Sequence, residues 1–195
     1  SSGLVGTDIR VTTDSGSPAE LPRELVFASS TAETGELHFQ ADSVSSTTDT
    51  VFRIWYNGTT TGDYATDATY GAEGVWSNGF EAVYHMSDDP TGGASDLFDS
   101  SPYANHGSSQ GSMGAAVDGV AGNAWRFDGV NDIVDLPSLV NGASSISVSY
   151  WIETPNYNDG RVFNSDGTGV DQVLVWPDND GGFDCIVDSA RANGG

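Results

Sequence analysis

The carboxylate side chains of this sequence point to two kinds of chemistry, acid–base cleavage of a glycosidic bond and coordination of a hard cation. A retaining glycoside hydrolase needs two carboxylates about 5–5.5 Å apart, and a strand supplies them when acidic residues alternate along one face. The glutamates lie at positions 20, 24, 33, 36, 73, 81 and 153. None of them forms such a pair on a predicted strand, and Thr34-Gly35 between Glu33 and Glu36 is typical of a turn. We therefore predict no catalytic residues.

Oxygen ligands for a cation are concentrated in the loops between residues 87 and 107. Asp99, Asn105 and the backbone at Gly107 belong to one loop, and Asp88 and Asp89 lie in a neighbouring one. A calcium ion takes six to eight oxygen ligands, which loops of this kind can supply. Asp and Asn are also the usual turn formers, because their side chains accept hydrogen bonds from the backbone of their own loop. Both interpretations, a metal site and a self-bonded turn, remain open at this level.

Histidines, aromatic residues and a glycosylation sequon provide weaker signals. The histidines at positions 38, 85 and 106 are scattered and show no His-x-x-x-His pattern. We expect His106 to pack its ring and bond a loop carbonyl rather than to bind a metal or a sugar. Tryptophans in a β-sandwich are mostly core residues, so no glycan-binding residue is assigned. The triplet Asn57-Gly58-Thr59 matches the acceptor pattern for N-glycosylation, and we predict Asn57 in an exposed turn.

The charge of the chain is strongly negative and limits its partners. The 195 residues include 28 acids, six arginines and no lysine, for a formal net charge of −22. Nucleic acids and anionic membranes require clustered Lys and Arg, so we predict neither as a partner. Two explanations of the acids are open: adaptation to a saline or marine setting, or cation binding by Asp-rich loops. No apolar run reaches the ~18 residues needed to span a bilayer, so no membrane insertion is predicted.

Period-two alternation of apolar and polar residues predicts β-strands along most of the chain. In the first third, alternating runs lie at residues 8–12, 21–27, 35–41 and 50–56. Their regular spacing predicts a small sheet. Residues 57–79 are rich in Thr and Gly and poor in aliphatic side chains, and we predict that they form a linker.

Residues 80–195 carry a second set of strand signals. The runs 125–127 and 133–136, joined by an Asp128-Gly129 turn, alternate, and so does the run 146–152. Together they predict antiparallel strands with one polar and one apolar face. Further strands are predicted at residues 80–86, 161–164, 172–176 and 183–187.

Two stretches of the sequence resemble known families. Residues 8–76, with TDTVFRIWYNG at 48–58 as the most informative phrase, resemble the DUF2341-type domain. Residues 80–190, with FDGVNDIV at 127–134 and SISVSYWI at 145–152, are similar to laminin-G-like, or concanavalin-like, jelly rolls. The order of the two stretches is that of many surface proteins. The resemblance implies an all-β fold and a structural calcium ion near Asp99.

These observations predict an all-β chain: a small β unit at 1–56, the linker at 57–79, and an antiparallel β-sandwich at 80–195. This sandwich is expected to be a partial concanavalin-like jelly roll that lacks C-terminal strands. Bare sheet edges pair with other chains, so other protein chains, or other parts of a longer polypeptide, are the predicted partners. The resemblance favours a non-catalytic structural or adhesion module of an extracellular, envelope or virion assembly, located at a cell or virion surface. A calcium-dependent lectin that binds surface glycans is the alternative, and a glycoside hydrolase ranks last.

Overall fold

The computed structural model of the chain describes residues 6–58, 62–139, 143, 145–154, 162–165, 172–177 and 183–188. Over these ranges the chain consists of strands, turns and one helical turn, and all its strands pair antiparallel. The predicted all-β fold class is confirmed. The chain forms two compact units, residues 1–135 and residues 136–195. The domain boundary expected at residue 80 falls inside the first of these units.

The first unit contains all the short strands before residue 136 and the helical turn. Their bounds are β1 (Arg10–Thr13), β2 (Glu20–Leu21), β3 (Arg23–Ser29), β4 (Thr34–Phe39), β5 (Phe52–Trp55), α1 (Ala72–Val75), β6 (Ser108–Gln110), β7 (Val117–Asp118), β8 (Asn123–Ala124) and β9 (Ile133–Asp135). The second unit contains β10 (Phe163–Ser165), β11 (Gln172–Pro177) and β12 (Phe183–Asp188). The four strands predicted in the first third of the chain correspond to β1, β3, β4 and β5.

Strand β1 is the centre of a three-stranded sheet, with β2 on one side and β5 on the other. Val11 lies opposite Leu21 of β2 and Ile54 of β5. Val11 and Leu21 are almost fully buried, as expected for β-branched and aliphatic residues on the covered face of a sheet. Among the described residues, nothing pairs with the outer side of β5, so this strand forms an edge.

Strands β3 and β4 form a separate hairpin. Their register places Glu24 opposite His38, and a β-bulge shifts the pairing between Leu25 and Phe27. Glu33 in the connecting turn has a φ of 55°, in the left-handed region. The hairpin positions three of the side chains of the candidate site described below.

Residues 62–79 pack against these strands, although the sequence indicated a linker. Asp63 Oδ1 accepts a hydrogen bond from Nη2 of Arg23 at 2.5 Å, and the Arg23 side chain is only 1% exposed. The ring of Tyr64 lies under the guanidinium of Arg10 at 4.4 Å. Helical turn α1 contacts β3. The contacts use aromatic and charged groups, and a pattern based on aliphatic side chains does not detect them.

The rest of the first unit is held by short pairings. Tyr84 forms an isolated β-bridge with Asp99, and Leu97 forms another with Gly107. Strand β6 pairs with β9, and β7 pairs with β8. The run 80–86 therefore contains a single bridge, and 125–127 contains no strand, so both of these strand predictions are wrong. Few neighbouring strands are present there to accept the backbone hydrogen bonds that a strand needs.

The predicted turn at Asp128-Gly129 is confirmed. Gly129 has a φ of 74°, which favours glycine. The carboxylate of Asp128 accepts the N–H of Val130 at 2.7 Å, so this side chain closes its own turn. Strand β9 follows shortly afterwards, at the position that the alternation predicted.

The second unit contains a three-stranded antiparallel sheet with β11 in the centre. Its strands confirm the predictions at 161–164, 172–176 and 183–187. Residues 145–154 are described but form no strand, so the strand predicted at 146–152 is wrong. Alternation supplies two faces, but a strand also needs a neighbour with which to form a ladder of backbone hydrogen bonds. Trp151 in this segment is 82% exposed.

Candidate functional site

Two histidines and two glutamates converge beside the β3–β4 hairpin. Glu24 and His38 lie directly opposite each other, and residues in that relationship share a face of the sheet. Glu36 precedes His38 by two residues, so strand alternation puts it on the same face. His85 joins them from the segment that follows α1. We refer to these four residues as the Glu/His cluster.

The cluster is centred on Oε1 of Glu36. This atom lies 2.7 Å from Nε2 of His38 and 3.7 Å from Nδ1 of His85. One ligand atom from each of the three residues falls within 4.8 Å of the others. The two imidazole rings lie 5.0 Å apart between centroids. Two imidazoles and a carboxylate gathered in this way form a donor set suited to a borderline transition metal ion.

Glu24 is held by three hydrogen-bond partners. Its Oε2 lies 3.0 Å from Nε2 of His85 and accepts the indole N–H of Trp76 at 2.5 Å. Its Oε1 accepts the hydroxyl of Ser100 at 2.6 Å. Burial acts to raise the pKa of Glu24, but the bonds from His85, Ser100 and Trp76 and the charge of His85 outweigh it and hold the pKa below its ordinary value. Glu24 is therefore an ionised carboxylate that anchors His85.

Aromatic packing shields one side of the cluster. The ring of Trp76 lies 5.2 Å from that of His38 and 5.9 Å from that of His85. Phe80 packs edge-on against Trp76 at 5.1 Å. The side chains of both glutamates and of His85 are 11–13% exposed, whereas that of His38 is 33% exposed. The site is thus largely dry, with a route to solvent along His38.

A glycine allows the β7–β8 turn to approach the cluster closely. Gly122 has a φ of 65°, and a Cβ atom at this position would lie 2.7 Å from Oε2 of Glu36 and 2.9 Å from Cε1 of Phe27. Only glycine accepts both this conformation and this contact without strain. The turn therefore covers Glu36 from a distant part of the sequence.

This cluster was not predicted from the sequence. The pattern considered there was a closely spaced histidine pair, whereas His38 and His85 are far apart in the sequence and meet only in the fold. The local signal was Glu36-x-His38 on an alternating strand, with an acid on the facing strand at Glu24. The contribution of His85 could be predicted only from the path by which the chain returns to the hairpin.

Asp99, the first predicted calcium ligand, organises its own loop. Its nearly fully buried carboxylate accepts the N–H groups of Val83 at 2.8 Å, Ser101 at 2.9 Å and Asn105 at 2.8 Å, and the hydroxyl of Ser101 at 2.7 Å. A carboxylate has about four lone-pair sites, so these four donors use all of them. The arrangement does not fit a calcium ion and instead supports the self-bonded turn.

The remaining groups of that loop are also engaged. The side-chain amide of Asn105 donates to the carbonyl of Glu81 at 2.9 Å, and the backbone carbonyl of Asn105 accepts the hydroxyl of Tyr84 at 2.5 Å. The N–H and C=O of Gly107 both pair with Leu97. Burial, followed by the charge of Asp99, raises the pKa of Tyr84 well above its ordinary value, so its hydroxyl remains a donor. Calcium at Asp99, Asn105 and Gly107 stays a prediction without support from the hydrogen bonding.

The other predicted site residues lie apart from the cluster's donor atoms. The backbone carbonyl of Asp88 accepts the indole N–H of Trp125 at 2.6 Å, and Asp89 accepts the N–H of Ala116 at 2.7 Å. Asn57 is exposed with a φ of 59°, in keeping with a turn. His106 stacks on a phenylalanine, as expected, but its Nδ1 accepts the N–H of Asp99 at 3.0 Å instead of bonding the expected loop carbonyl.

A serine in the Gly-x-Ser-x-Gly spacing of hydrolases lies at 107–111, and the sequence analysis passed over it. Ser109 is on strand β6 and only 3% exposed. Its hydroxyl donates to Asp96 and accepts the N–H of Gly92 at 2.9 Å. Among the described hydrogen bonds, none joins Ser109 to a histidine. The surroundings are those of a structural serine rather than of an activated nucleophile.

A small cavity opens beside the cluster. It measures about 160 Å³ and is lined by residues that include Glu24, His85, Ser100, Leu97 and Trp125. Small-molecule sites usually enclose about 300–1,000 Å³. This space therefore suits a few water molecules or a small ion better than a sugar ring.

In comparisons with protein-family models, with curated proteins and with solved structures, no match to this chain was found. Among the described residues, no helix has the length and apolar character that crossing a bilayer requires.

Proposed function

We propose that this chain is a non-catalytic structural or adhesion module that pairs edge to edge with a second copy of itself in a larger extracellular, envelope or virion assembly. The observation that carries the proposal is the open edge of β5. Among the described residues this strand pairs only with β1, and a bare edge is a template for another strand.

The register shows which backbone groups face the open edge. The N–H of Asp14 donates to the carbonyl of Val51 at 3.2 Å, which identifies a hydrogen-bonded pair. Such pairs alternate along an antiparallel ladder, so Thr12 and Arg53 form the next one. The N–H and C=O of Ile54 therefore point away from β1, toward the side where a further strand can bind.

The side chains at this edge add apolar surface. Ile54, Trp55 and Tyr56 are 55%, 51% and 71% exposed. Because side chains alternate along a strand, Ile54 and Trp55 lie on opposite faces of the sheet, and exposed apolar surface beside an unpaired strand is a common mark of an interaction site. The run 51–58 contains one arginine and no acid. The neighbouring carboxylates of Asp14 and Asp8 accept hydrogen bonds from Nε of Arg53 and the N–H of Gly58. The total charge of −22 still repels the copies at low salt.

The oligomeric state of the purified chain tests this proposal. In about 1 M sodium chloride, where charges are screened beyond about 3 Å, light scattering should show a concentration-dependent dimer. Ile54→Pro removes an outward N–H but leaves the bonded pairs of β1 and β5 in place, so it should be monomeric and equally stable. Ile54→Lys should also be monomeric, whereas Val120→Lys, at a 72% exposed position in the β7–β8 turn, should dimerise normally.

Two results contradict the proposal. A wild-type chain that stays monomeric at every concentration in high salt would show that the edge does not associate with its copy. A dimer that survives both Ile54 substitutions would place the contact elsewhere on the molecule.

Two exposed rings beside the Asp99 loop favour a glycan-binding lectin as the second candidate. Tyr103 is 60% exposed and Phe98 is 52% exposed, with Phe98 stacked on His106 at 4.6 Å. Rings presented in this way can pack against sugars. A lectin predicts binding on a carbohydrate array that Tyr103→Ala abolishes. Such binding by a chain that remains monomeric would replace the structural proposal.

A further inference from the structure

We propose that Glu36, His38 and His85 bind one transition metal ion per chain, and that Zn²⁺ is the ion that fits best. The inference is independent of the proposed assembly, because all three residues lie within the first unit. It assigns the metal to the hairpin face rather than to the Asp-rich loops that the sequence indicated.

The spacing of the three ligand atoms suits a tetrahedral ion. Zinc bonds of about 2.0–2.1 Å place neighbouring ligand atoms about 3.4 Å apart. From Oε1 of Glu36, Nε2 of His38 lies 2.7 Å away and Nδ1 of His85 lies 3.7 Å away, on either side of that value. The two nitrogens lie within 4.8 Å of each other, so seating the ion requires the side chains to draw the three ligand atoms to this spacing. Three protein ligands leave a fourth position for water.

The second nitrogen of His85 has the partner that a metal-bound histidine normally has. Its Nε2 lies against the carboxylate of Glu24 at 3.0 Å, while Nδ1 is on the side of Glu36. A carboxylate in this position fixes the ring and makes the opposite nitrogen a better ligand. Glu24 is itself fixed by Trp76 and Ser100. This second layer of contacts distinguishes a built site from a chance meeting of side chains.

The donor set also narrows the choice of ion. Calcium and magnesium prefer oxygen ligands only, and the cluster supplies two imidazoles with one carboxylate. Zinc, cobalt and nickel accept this mixture. The 33% exposure of the His38 side chain gives an ion a path from solvent.

Cobalt titration of the apo chain tests the proposal, because tetrahedral Co²⁺ absorbs strongly in the visible. The wild type should bind one Co²⁺ per chain, and equimolar Zn²⁺ should displace it. His38→Ala, His85→Ala and Glu36→Gln should each lose the absorption. Glu24→Gln should weaken binding by about 10–100-fold, as loss of a carboxylate behind a ligating histidine does. His106→Ala is the matched control, since it removes a histidine outside the cluster, and should bind normally.

A measurement on the wild type keeps the test independent of how the variants fold. Diethylpyrocarbonate modifies accessible imidazoles, and mass spectrometry locates the adducts. Zn²⁺ should protect His38 and His85 and leave the labelling of His106 unchanged. The proposal is overturned if Zn²⁺ protects none of the three, or if it protects all three equally as scattered surface binding would. Normal cobalt binding by the folded His38→Ala and His85→Ala variants would overturn it as well.

Discussion

Nε2 of His85 lies 3.0 Å from Oε2 of Glu24, and this contact leaves Nδ1 of the same ring on the side of Glu36. In the neutral ring, a carboxylate beside Nε2 favours the proton on that nitrogen and leaves the lone pair on Nδ1. The nitrogen of His85 that can bind a metal is therefore determined by a residue that lies 61 positions earlier in the chain. The geometry of the cluster thus depends on the first unit folding as a whole.

Gly122→Ala should disturb both stability and the cluster. Its Cβ would meet Glu36 and Phe27 at 2.7 and 2.9 Å, and its φ of 65° is unfavourable for alanine. We expect a loss of about 1–3 kcal/mol in the free energy of unfolding, measured with urea, together with weaker cobalt binding. Gly114→Ala is the control, because a Cβ there has nothing within 4 Å. Its stability should stay within about 0.5 kcal/mol or rise slightly.

Asp99→Asn should destabilise the loop that it organises. The amide cannot accept four hydrogen bonds, and the donors left without a partner are buried or part-buried, so we expect a loss of about 1–3 kcal/mol. Asp118→Asn, on an exposed position of β7, should change the free energy of unfolding by less than about 0.5 kcal/mol. Calcium should raise the melting temperature of the wild type no more than magnesium does. A calcium-specific rise that Asp99→Asn abolishes would restore the calcium interpretation.

Asp63→Ala should destabilise the fold, because it leaves the buried guanidinium of Arg23 without its charged partner. The substitution removes the 2.5 Å partner of a guanidinium that is 1% exposed and leaves only a 3.4 Å contact to the carbonyl of Thr7 at that nitrogen. Because Asp63 itself is 45% exposed, we expect about 2–3 kcal/mol, below the usual cost of breaking a fully buried pair. Asp67→Ala in the same segment should be nearly neutral. An equal effect of both substitutions would show that the segment does not hold Arg23.

Asp96 should make stability depend on pH in the acid range. Burial acts to raise the pKa of Asp96, but hydrogen bonds from Ser109 and the Thr91 N–H outweigh it and leave the pKa well below its ordinary value. A lowered folded-state pKa stabilises the protein above the unfolded value of about 3.9, and this stabilisation is lost as the pH falls below it. Asp96→Asn should therefore lose stability at pH 6 and show a flatter decline between about pH 4 and 2.

The control for this pH series is Asp49→Asn, which removes one charge at an exposed position. It should follow the wild-type curve. If Asp96→Asn also follows that curve at every pH, the hydrogen bonds to Asp96 do not stabilise the folded state.

Alternation predicted strands whose partners are close in sequence, and also β1 and β5, which pair with each other from distant parts of the chain. The pairs β3 with β4 and β11 with β12 were visible because turn residues separate two complementary runs. The run 146–152 has equally regular alternation but forms no strand, since pairing depends on a neighbour that alternation does not reveal. A periodic pattern therefore predicts which residues would share a face of a strand more reliably than it predicts that the strand forms.

The candidate site was less visible because its residues are of ordinary types at long separation. Asp99 stood out in a loop rich in Asp and Ser, yet its lone pairs are all used within that loop. Glu24, Glu36 and His38 lie on predicted strands, and the alternation does not tell whether their side chains are buried or exposed. The β3–β4 hairpin gathers these three residues on one face, and His85 reaches them only because the chain returns to the hairpin after α1.

The most direct test of the metal centre is zinc K-edge X-ray absorption of the one-to-one complex. We expect a first shell with two imidazole nitrogens and carboxylate oxygen at about 2.0–2.2 Å, with the outer-shell scattering of two imidazole rings. His38→Ala, which should not hold the ion, should not give this two-ring scattering. A first shell of oxygen alone, without imidazole scattering, would contradict the assignment of the metal to Glu36, His38 and His85.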